Sequence, residues 1–281
     1  MHAHKFDHIV VPVDFSDISA HALRTASLLR EHCGGGEITA LYANWFQAPP
    51  YFTSGRLDEL RKEFRESLQL AEESLGAFVR SALGSIPAGV TLRVVEALPA
   101  DGVRQTASLQ NADLIVMGTH GRSGLNRWML GSVAERVLRE SSAPVLTVRS
   151  SPPETMQRML CPVDDTRESR RALSLATSVA ACFGARLTVL HVTEPAGDKP
   201  VSDLCSWIPA EDRARCSISE LALHGDAAEQ IVKLAASELY DLIVMGSPRR
   251  KFFEGMVLGT TTLRTVRHAP CPVLTVGPGP E

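Results

Sequence analysis

The sequence predicts an α/β protein of two tandem doubly wound domains, each with a parallel sheet and helices on both faces. Three observations indicate this fold class. Short β-branched runs such as HIVVPV, LIVMG and PVLTV are apolar on both faces, as expected of parallel strands covered by helices on either side. These runs alternate with helix-like segments, which predicts right-handed βαβ units. The whole pattern then occurs twice along the chain.

The internal repeat aligns in two blocks without gaps. HIVVPVDFSDISAHAL at 8–23 lies over RMLCPVDDTRESRRAL at 158–173. ADLIVMGTHGRSGLNRWMLGSVAERVLRESSAPVLTV at 112–148 lies over YDLIVMGSPRRKFFEGMVLGTTTLRTVRHAPCPVLTV at 240–276. Self-similarity of this length indicates one structural unit present twice.

The domain boundary is expected in the stretch RSSPPETMQ, whose prolines and small polar residues suit neither a strand nor a helix. We therefore expect a first domain over residues 1–150 and a second over residues 155–281. A chain of 281 residues is long enough for two domains, each with its own core.

Each copy reads as strand, helix, strand, insertion, strand, helix, strand, glycine loop, helix and strand. Ser16 is a suitable N-cap for a helix through Arg30, and the glycines at 34–36 end it. From residue 57 the first insertion, LDELRKEFRESLQLAEESLGAFVRSAL, has the apolar spacing of one long amphipathic helix. The second insertion, EPAGDKPVSDLCSWIPAEDRARC, is broken by prolines and predicts a loop with one short helix at most.

Composition excludes several classes of function. A net charge of −3 provides no basic face for nucleic acid. No run of about 18 apolar residues is present, and the N-terminus lacks an apolar signal region, so we expect a cytoplasmic protein without membrane contact. The six cysteines form no C-x-x-C pair. They are expected to be small buried apolar side chains, with a metal site or a redox pair as the other interpretation.

The stretch MGTHGRSGLNRWMLGSV, residues 117–133, carries four glycines directly after an apolar strand: Gly118, Gly121, Gly124 and Gly131. Glycine permits positive φ and lets a ligand approach the backbone. The helix that follows presents free N–H groups and a positive dipole end to an anion. Parallel sheets bind ligands at the carboxyl ends of their strands, so the stretch predicts a phosphate site to which Arg122 adds charge.

Taken alone, a G-x-x-G turn more often only reverses the chain. Neither the Walker pattern G-x-x-x-x-G-K-S/T nor the dinucleotide fingerprint G-x-G-x-x-G is present. The spacing that is present places two residues between Gly118 and Gly121, and nine between Gly121 and the pair Gly131–Ser132.

This spacing resembles that of a tandem universal stress protein, over essentially the whole chain from VPVDFS to the terminal CPVLTV. The resemblance implies a five-stranded parallel sheet of order 3-2-1-4-5 in each domain. It also implies antiparallel pairing of the last strands of the two domains, which gives a pseudo-dimer within one chain, with a homodimer of such chains left open. ATP, or ADP or AMP, is the implied ligand, with Mg²⁺ between its phosphate oxygens. A protein partner is implied without its identity.

Residue by residue, the resemblance assigns nucleotide contacts to the first copy only. Residues bordering adenine and ribose would be Pro12, Val13, Asp14, Ala43, Met117 and Gly118. Residues around the phosphates would be Gly121, Arg122, Gly131, Ser132 and Val133. From the residues alone, Asp14 suits a helix cap as well as a ligand.

No catalytic group is assigned. His120 has the residue type of a general base, but no carboxylate lies near it in sequence to orient it. We therefore expect a non-enzymatic, ATP-binding stress-response or signalling protein, with slow ATP hydrolysis as the alternative.

The second copy departs from the spacing at its middle glycine. It reads Gly246-Ser247-Pro248-Arg249, although Gly259 and Thr260 remain. An arginine fills space that a phosphate needs and does not readily adopt positive φ. The prediction is that only the first copy holds ATP in the usual way. A further alternative is an interaction protein whose second half binds another ligand or a protein.

Overall fold

The computed structural model describes residues 6–45, 54–121, 130–193, 204–208, 210–252 and 255–278. Within these residues the chain forms a ten-stranded sheet and a separate two-stranded hairpin. Helices lie on both faces of the large sheet, so the predicted α/β class is confirmed.

In the first half, strands and helices alternate as the sequence predicts. The elements are β1 (His8–Pro12), α1 (Asp17–His32), β2 (Glu37–Asn44), α2 (Ser54–Leu83), β3 (Val90–Glu96), α3 (Pro99–Leu109), β4 (Leu114–Gly118), α4 (Ser132–Glu140) and β5 (Val145–Val148). The predicted N-cap is confirmed, since the Ser16 side chain accepts a hydrogen bond from Ser19 N at 3.2 Å. The predicted long amphipathic helix is confirmed as α2.

The second half repeats this order, except that a 3₁₀ helix and a short α-helix replace α2 and two further strands precede the last helix. Its elements are β6 (Arg158–Pro162), α5 (Arg167–Phe183), β7 (Arg186–Thr193), a 3₁₀ helix (Leu204–Trp207), α6 (Ala210–Arg213), β8 (Ser217–His224), α7 (Ala227–Ser237), β9 (Leu242–Gly246), β10 (Arg249–Phe252), β11 (Gly255–Leu258), α8 (Thr260–His268) and β12 (Val273–Val276). The hairpin β10–β11 was not predicted. It stands where the first half has its glycine loop.

The prediction of at most one short helix in the second insertion is wrong, because the 3₁₀ helix and α6 both form there. The physical reason is burial. Leu204 and Ile208 are each only 2% exposed and anchor the segment in the core, and the Trp207 ring lies 4.4 Å from the Arg170 guanidinium. Burial of these apolar side chains thus holds residues 204–208 against the core.

The strand order is β3-β2-β1-β4-β5-β12-β9-β6-β7-β8. Every neighbouring pair in the sheet is parallel except β5 and β12, which are antiparallel and join the two halves. Side chains reinforce this junction symmetrically: Thr147 Oγ1 donates to Val273 O and Thr275 Oγ1 donates to Val145 O, each at 3.1 Å. Two edge strands are thereby paired within one chain.

The core has two layers, one on each face of the sheet. Helices α1, α2 and α5 bury residues such as Leu23, Val79 and Val179 on one face. Helices α3, α4, α7 and α8 bury residues such as Val137 and Ile231 on the other. Among the described residues, no helix combines the length and apolar character needed to cross a membrane.

Candidate functional site

A cavity of about 620 Å³ opens at the carboxyl ends of β1, β2 and β4. Strand β1 pairs with both β2 and β4, while the helices that follow β1 and β4 lie on opposite faces of the sheet. Such a switch in direction leaves a crevice between the connecting loops. The topology itself therefore produces the cavity.

The cavity brings together nearly all of the residues predicted to contact nucleotide. Those that line it are Pro12, Val13, Asp14, Ala43, Met117, Gly118, Gly121, Gly131, Ser132 and Val133. The remaining one, Arg122, lies outside the described residues. Residues distant in sequence thus converge on one surface, although their contacts with a nucleotide stay a prediction.

At the described glycines of this stretch, Gly118, Gly121 and Gly131, space rather than positive φ favours glycine, and Gly124 lies outside the described residues. The φ angles of Gly118, Gly121 and Gly131 all lie outside the left-handed region, so none of these three residues uses the positive φ that glycine permits. A Cβ at Gly118 would lie 2.7 Å from Ile18 Cγ2, and a Cβ at Gly121 would collide with Oδ2 of Asp14. Helix α1 and the Asp14 carboxylate therefore approach a bare backbone.

The N-terminus of α4 faces the cavity without a side-chain cap. Its N-cap is Gly131, whereas α1, α5 and α7 begin with capping side chains. The first-turn N–H groups of Ser132 and Val133 have no acceptor within the helix, as at every α-helix start. Gly131 N instead donates to Thr119 O at 2.7 Å, which holds the start of α4 against the end of β4.

The Asp14 carboxylate stabilises the turn before α1 and also lines the cavity, whereas its contact with a ligand stays a prediction. Oδ1 accepts hydrogen bonds from Ser16 N at 3.1 Å and Ser16 Oγ at 2.5 Å, which fixes the turn before α1. Oδ2 lies on the side of Gly121. Among the described lining residues Asp14 is the only acidic side chain, so it supplies the cavity's negative charge.

Phe15 is a cavity residue that sequence reasoning missed. Its φ is +63°, an uncommon conformation for a large side chain. Ring packing holds it there, with the Tyr42 centroid at 4.9 Å and the Phe78 centroid at 5.6 Å. The available signal was an aromatic residue at a strand end, where the second copy has Asp165.

His120 also lines the cavity, and its Nδ1 lies 3.0 Å from Thr119 Oγ1. Within the described part of the chain, no group of three or more His, Cys, Asp and Glu side chains is arranged to hold a metal. Among the described lining residues, the side chains that change charge most readily are thus one carboxylate, Asp14, and one imidazole, His120, beside several hydroxyl groups and backbone amides.

A sequence profile of the Universal stress protein family matches residues 5–149 and 155–277. The chain belongs to this family. It is 34% identical to universal stress protein MJ0531 of Methanocaldococcus jannaschii over 149 residues, which is 50% of this chain and 81% of that protein. It is 25% identical to universal stress protein Rv2005c of Mycobacterium tuberculosis over 260 residues, 84% of each chain.

The structure also resembles a solved universal stress protein from Archaeoglobus fulgidus. The TM-score is 0.73 at 23% sequence identity, with 98% of this chain and all of that chain covered. At this identity the likeness shows the fold alone. It extends over both halves, as the two profile matches do.

The second half of this universal stress protein has a cavity of about 610 Å³ at the equivalent strand ends. It is lined by the aligned residues Pro162, Val163, Asp164, Gly246, Gly259 and Thr260, among others. Helix α8 begins at Gly259, again without a side-chain cap. The repeated domain thus reproduces both the crevice and the open helix start.

The loops that border the two cavities differ. Arg249, aligned with Gly121, is the first residue of β10 and pairs with Leu258 of β11. Its side chain lies outside the described residues, so the predicted conflict with a phosphate stays a prediction. In the sequence, the two strands of this hairpin correspond to the short runs RRKF and GMVL, the second of which begins at Gly255.

Proposed function

We propose that the first cavity binds ATP, ADP or AMP and that nucleotide occupancy changes the surface which this universal stress protein presents to a partner protein. One observation carries the proposal: a cavity of about 620 Å³ joins an apolar wall to the uncapped start of α4. That volume is within the usual range for small-molecule sites.

The apolar wall suits a flat base. Leu41, Val103 and Met117 are at most 4% exposed, and they line the cavity together with Pro12 and Ala43. A purine ring stacked on these side chains would be removed from water at little polar cost. Backbone groups at the end of β2 would then recognise the edge of the base.

The opposite end suits phosphate groups. The first-turn N–H groups of Ser132 and Val133 and the dipole of α4 favour an anion, and Arg122 adds a positive charge by sequence. We further propose Mg²⁺ between the phosphate oxygens. Because the described lining residues offer a single carboxylate, that of Asp14, phosphate and water would supply most of the Mg²⁺ ligands.

We propose that the second half does not hold ATP in this way, because Arg249 begins a strand where the first half has Gly121. Its cavity of about 610 Å³ supports a second candidate function, the binding of a different ligand. Identification of a ligand retained by the purified full chain after nucleotide has been removed would test this candidate.

We propose that nucleotide binding, rather than turnover, is the function. The observation that favours slow ATP hydrolysis is the position of His120 on the cavity wall. Overnight incubation with ATP separates the two functions. ADP formation that disappears in His120→Gln would favour the enzyme, and unchanged background hydrolysis would favour the binding protein.

The direct test is to denature the purified full chain and identify the released nucleotide by mass, with its stoichiometry, before and after loading with excess ATP. One adenine nucleotide per chain is expected. Two per chain would contradict the proposed difference between the halves. No nucleotide at saturating ATP would overturn the proposal.

A further inference from the structure

The thiols of Cys33 and Cys182 meet across the junction between the two halves. Cys33 is the C-cap residue of α1, Cys182 lies in the last turn of α5, and their side chains are hydrogen-bonded. Their sequence neighbours confirm the approach: the rings of His32 and Phe183 stack with centroids 4.4 Å apart and planes 13° apart. Two independent side-chain contacts therefore hold the ends of α1 and α5 together.

The contact follows from the topology. Helix α1 lies over β4 and β5, and α5 lies over β9 and β12, on the same face of the sheet. Because β5 pairs with β12, these helices are neighbours across the junction. No C-x-x-C spacing could indicate this pair, since one cysteine comes from each half.

The two sulfur atoms have different environments. Cys33 is 2% exposed, whereas Cys182 is partly exposed. The hydrogen bond from Cys33, and then the positive charge of Arg215, lower the pKa of Cys182, while the same hydrogen bond and burial raise the pKa of Cys33. Because the thiolate is the reactive form, Cys182 is the better nucleophile and Cys33 is placed to react second.

We propose that Cys33 and Cys182 form a reversible disulfide between the two halves when the protein meets a hydroperoxide. The Cys182 thiolate attacks one peroxide oxygen, so that an S–O bond forms and the O–O bond breaks. The oxygen that leaves takes up a proton as water, or as an alcohol from an organic peroxide, and Cys182 becomes a sulfenic acid.

In the second step the Cys33 sulfur attacks the Cys182 sulfur. An S–S bond forms, the S–O bond breaks, and the departing hydroxyl takes the Cys33 proton and leaves as water. Two thiols are oxidised by two electrons in total and the peroxide is reduced. A dithiol reductant returns the pair to its starting state by exchange.

This modification site is separate from the proposed nucleotide site. Helix α1 borders the first cavity through Ser19 near its start and reaches Cys33 after 14 further residues, about 21 Å along an α-helix. A cross-link at the far end ties the halves together without entering either cavity. The proposal therefore stands or falls independently of ATP binding.

Mapping of the oxidised full chain tests the proposal. The reduced protein is treated with hydrogen peroxide, free thiols are alkylated, and tryptic peptides are identified by mass. We expect residues 31–56 joined to residues 172–186 within one chain, with the link lost after treatment with a dithiol. Cys271→Ala is the matched control, since burial raises the pKa of Cys271 to about 12, and it should cross-link as the wild type does.

Several outcomes would overturn the proposal. One is that both peptides stay alkylated after peroxide treatment. Another is a bond between chains, or a bond from Cys182 to Cys216, whose sulfur lies 4.0 Å from Thr177 O beside α5. These outcomes are read on the wild-type chain, so the test does not depend on a variant that folds poorly.

The order of the two steps has its own test. Cys33→Ala should leave Cys182 as a sulfenic acid that a dimedone probe traps, whereas Cys182→Ala should lose most of the probe labelling. Equal labelling of Cys33 in Cys182→Ala would contradict the assignment of Cys182 as the first nucleophile.

Discussion

The two halves place cavities of about 620 and 610 Å³ at equivalent strand ends, but they border these cavities with different loops. In the first half a bare backbone at Gly121 lies against Asp14. In the second half the aligned Arg249 is part of a hairpin. The comparison teaches that the shared strand order creates a crevice in each half, whereas the residues between β4 and α4, or β9 and α8, give the two crevices different borders.

The aligned carboxylates show the same divergence. In the first half, Ser19 Oγ donates a hydrogen bond to Ser16 O. Asp14 Oδ1 accepts a hydrogen bond from the Ser16 hydroxyl instead. In the second half, Ser169 Oγ donates at 2.5 Å to Asp164 Oδ1, which also accepts from both the amide and the hydroxyl of Thr166. Asp164 Oδ1 thus accepts a hydrogen bond from a residue of α5 itself, whereas Asp14 Oδ1 is hydrogen-bonded to Ser16, the N-cap of α1.

The largest expected effect comes from a negative charge at the start of α4. Ser132→Asp would place a carboxylate where the phosphates are proposed to bind, although it suits the helix dipole and so should not destabilise the fold. We expect ATP affinity to fall about 100-fold, or about 2.8 kcal/mol, in a calorimetric titration.

Thr260→Asp makes the same change at the aligned start of α8, and both positions are exposed. This control should bind ATP like the wild type. If Thr260→Asp weakened ATP binding as much as Ser132→Asp, the assignment of the nucleotide to the first half would be wrong.

A smaller loss is expected from Gly121→Ala. The new Cβ would collide with Oδ2 of Asp14, so the loop or the carboxylate must move. We expect ATP affinity to fall about tenfold, or about 1.4 kcal/mol, in the same titration. Arg249→Ala, at the aligned position, should leave the affinity of the first site unchanged. A Gly121→Ala protein with full ATP affinity would show that this close contact is dispensable.

Sequence patterns predicted the elements well because their signals are local. Short runs that are apolar on both faces located the strands, Ser16 marked the start of α1, and the glycine spacing lies at the cavity. What the sequence could not indicate depends on tertiary contacts. The left-handed conformation of Phe15 rests on Tyr42 and Phe78, and the approach of Cys33 to Cys182 rests on pairing of the two edge strands.

The N-cap residues of α1 and α5 are expected to contribute equally to the stability of the two halves. Ser16 and Thr166 each accept a hydrogen bond from the amide three residues later, at 3.2 Å in both halves. Ser16→Ala and Thr166→Ala should each lower the free energy of unfolding by about 1 kcal/mol in urea titrations. A much larger loss for one of them would mean that the halves also diverge at their first helices.

The smallest expected effect concerns the pH dependence of stability that His21 contributes in the first half, where the second half has Arg171. His21 lies near Ser151, just after β5, with its Nε2 3.0 Å from Ser151 Oγ. The aligned Arg171 donates at 2.6 Å to Gly277 O, just after β12. Burial, and then the charge of Arg24, lower the pKa of His21 below its usual 6.5.

A histidine with a lowered pKa binds its proton more readily in the unfolded chain. Stability from His21 is therefore complete above pH 6.5 and should decline as the pH falls from there toward the lower folded-state pKa. Urea unfolding at pH 7 and pH 5.5 measures this decline, which should be smaller in His21→Gln than in the wild type. Arg171→Gln is the matched control and should keep the wild-type pH dependence, because arginine stays charged throughout this range. An unchanged pH dependence in His21→Gln would assign the decline to other groups and remove this difference between the halves.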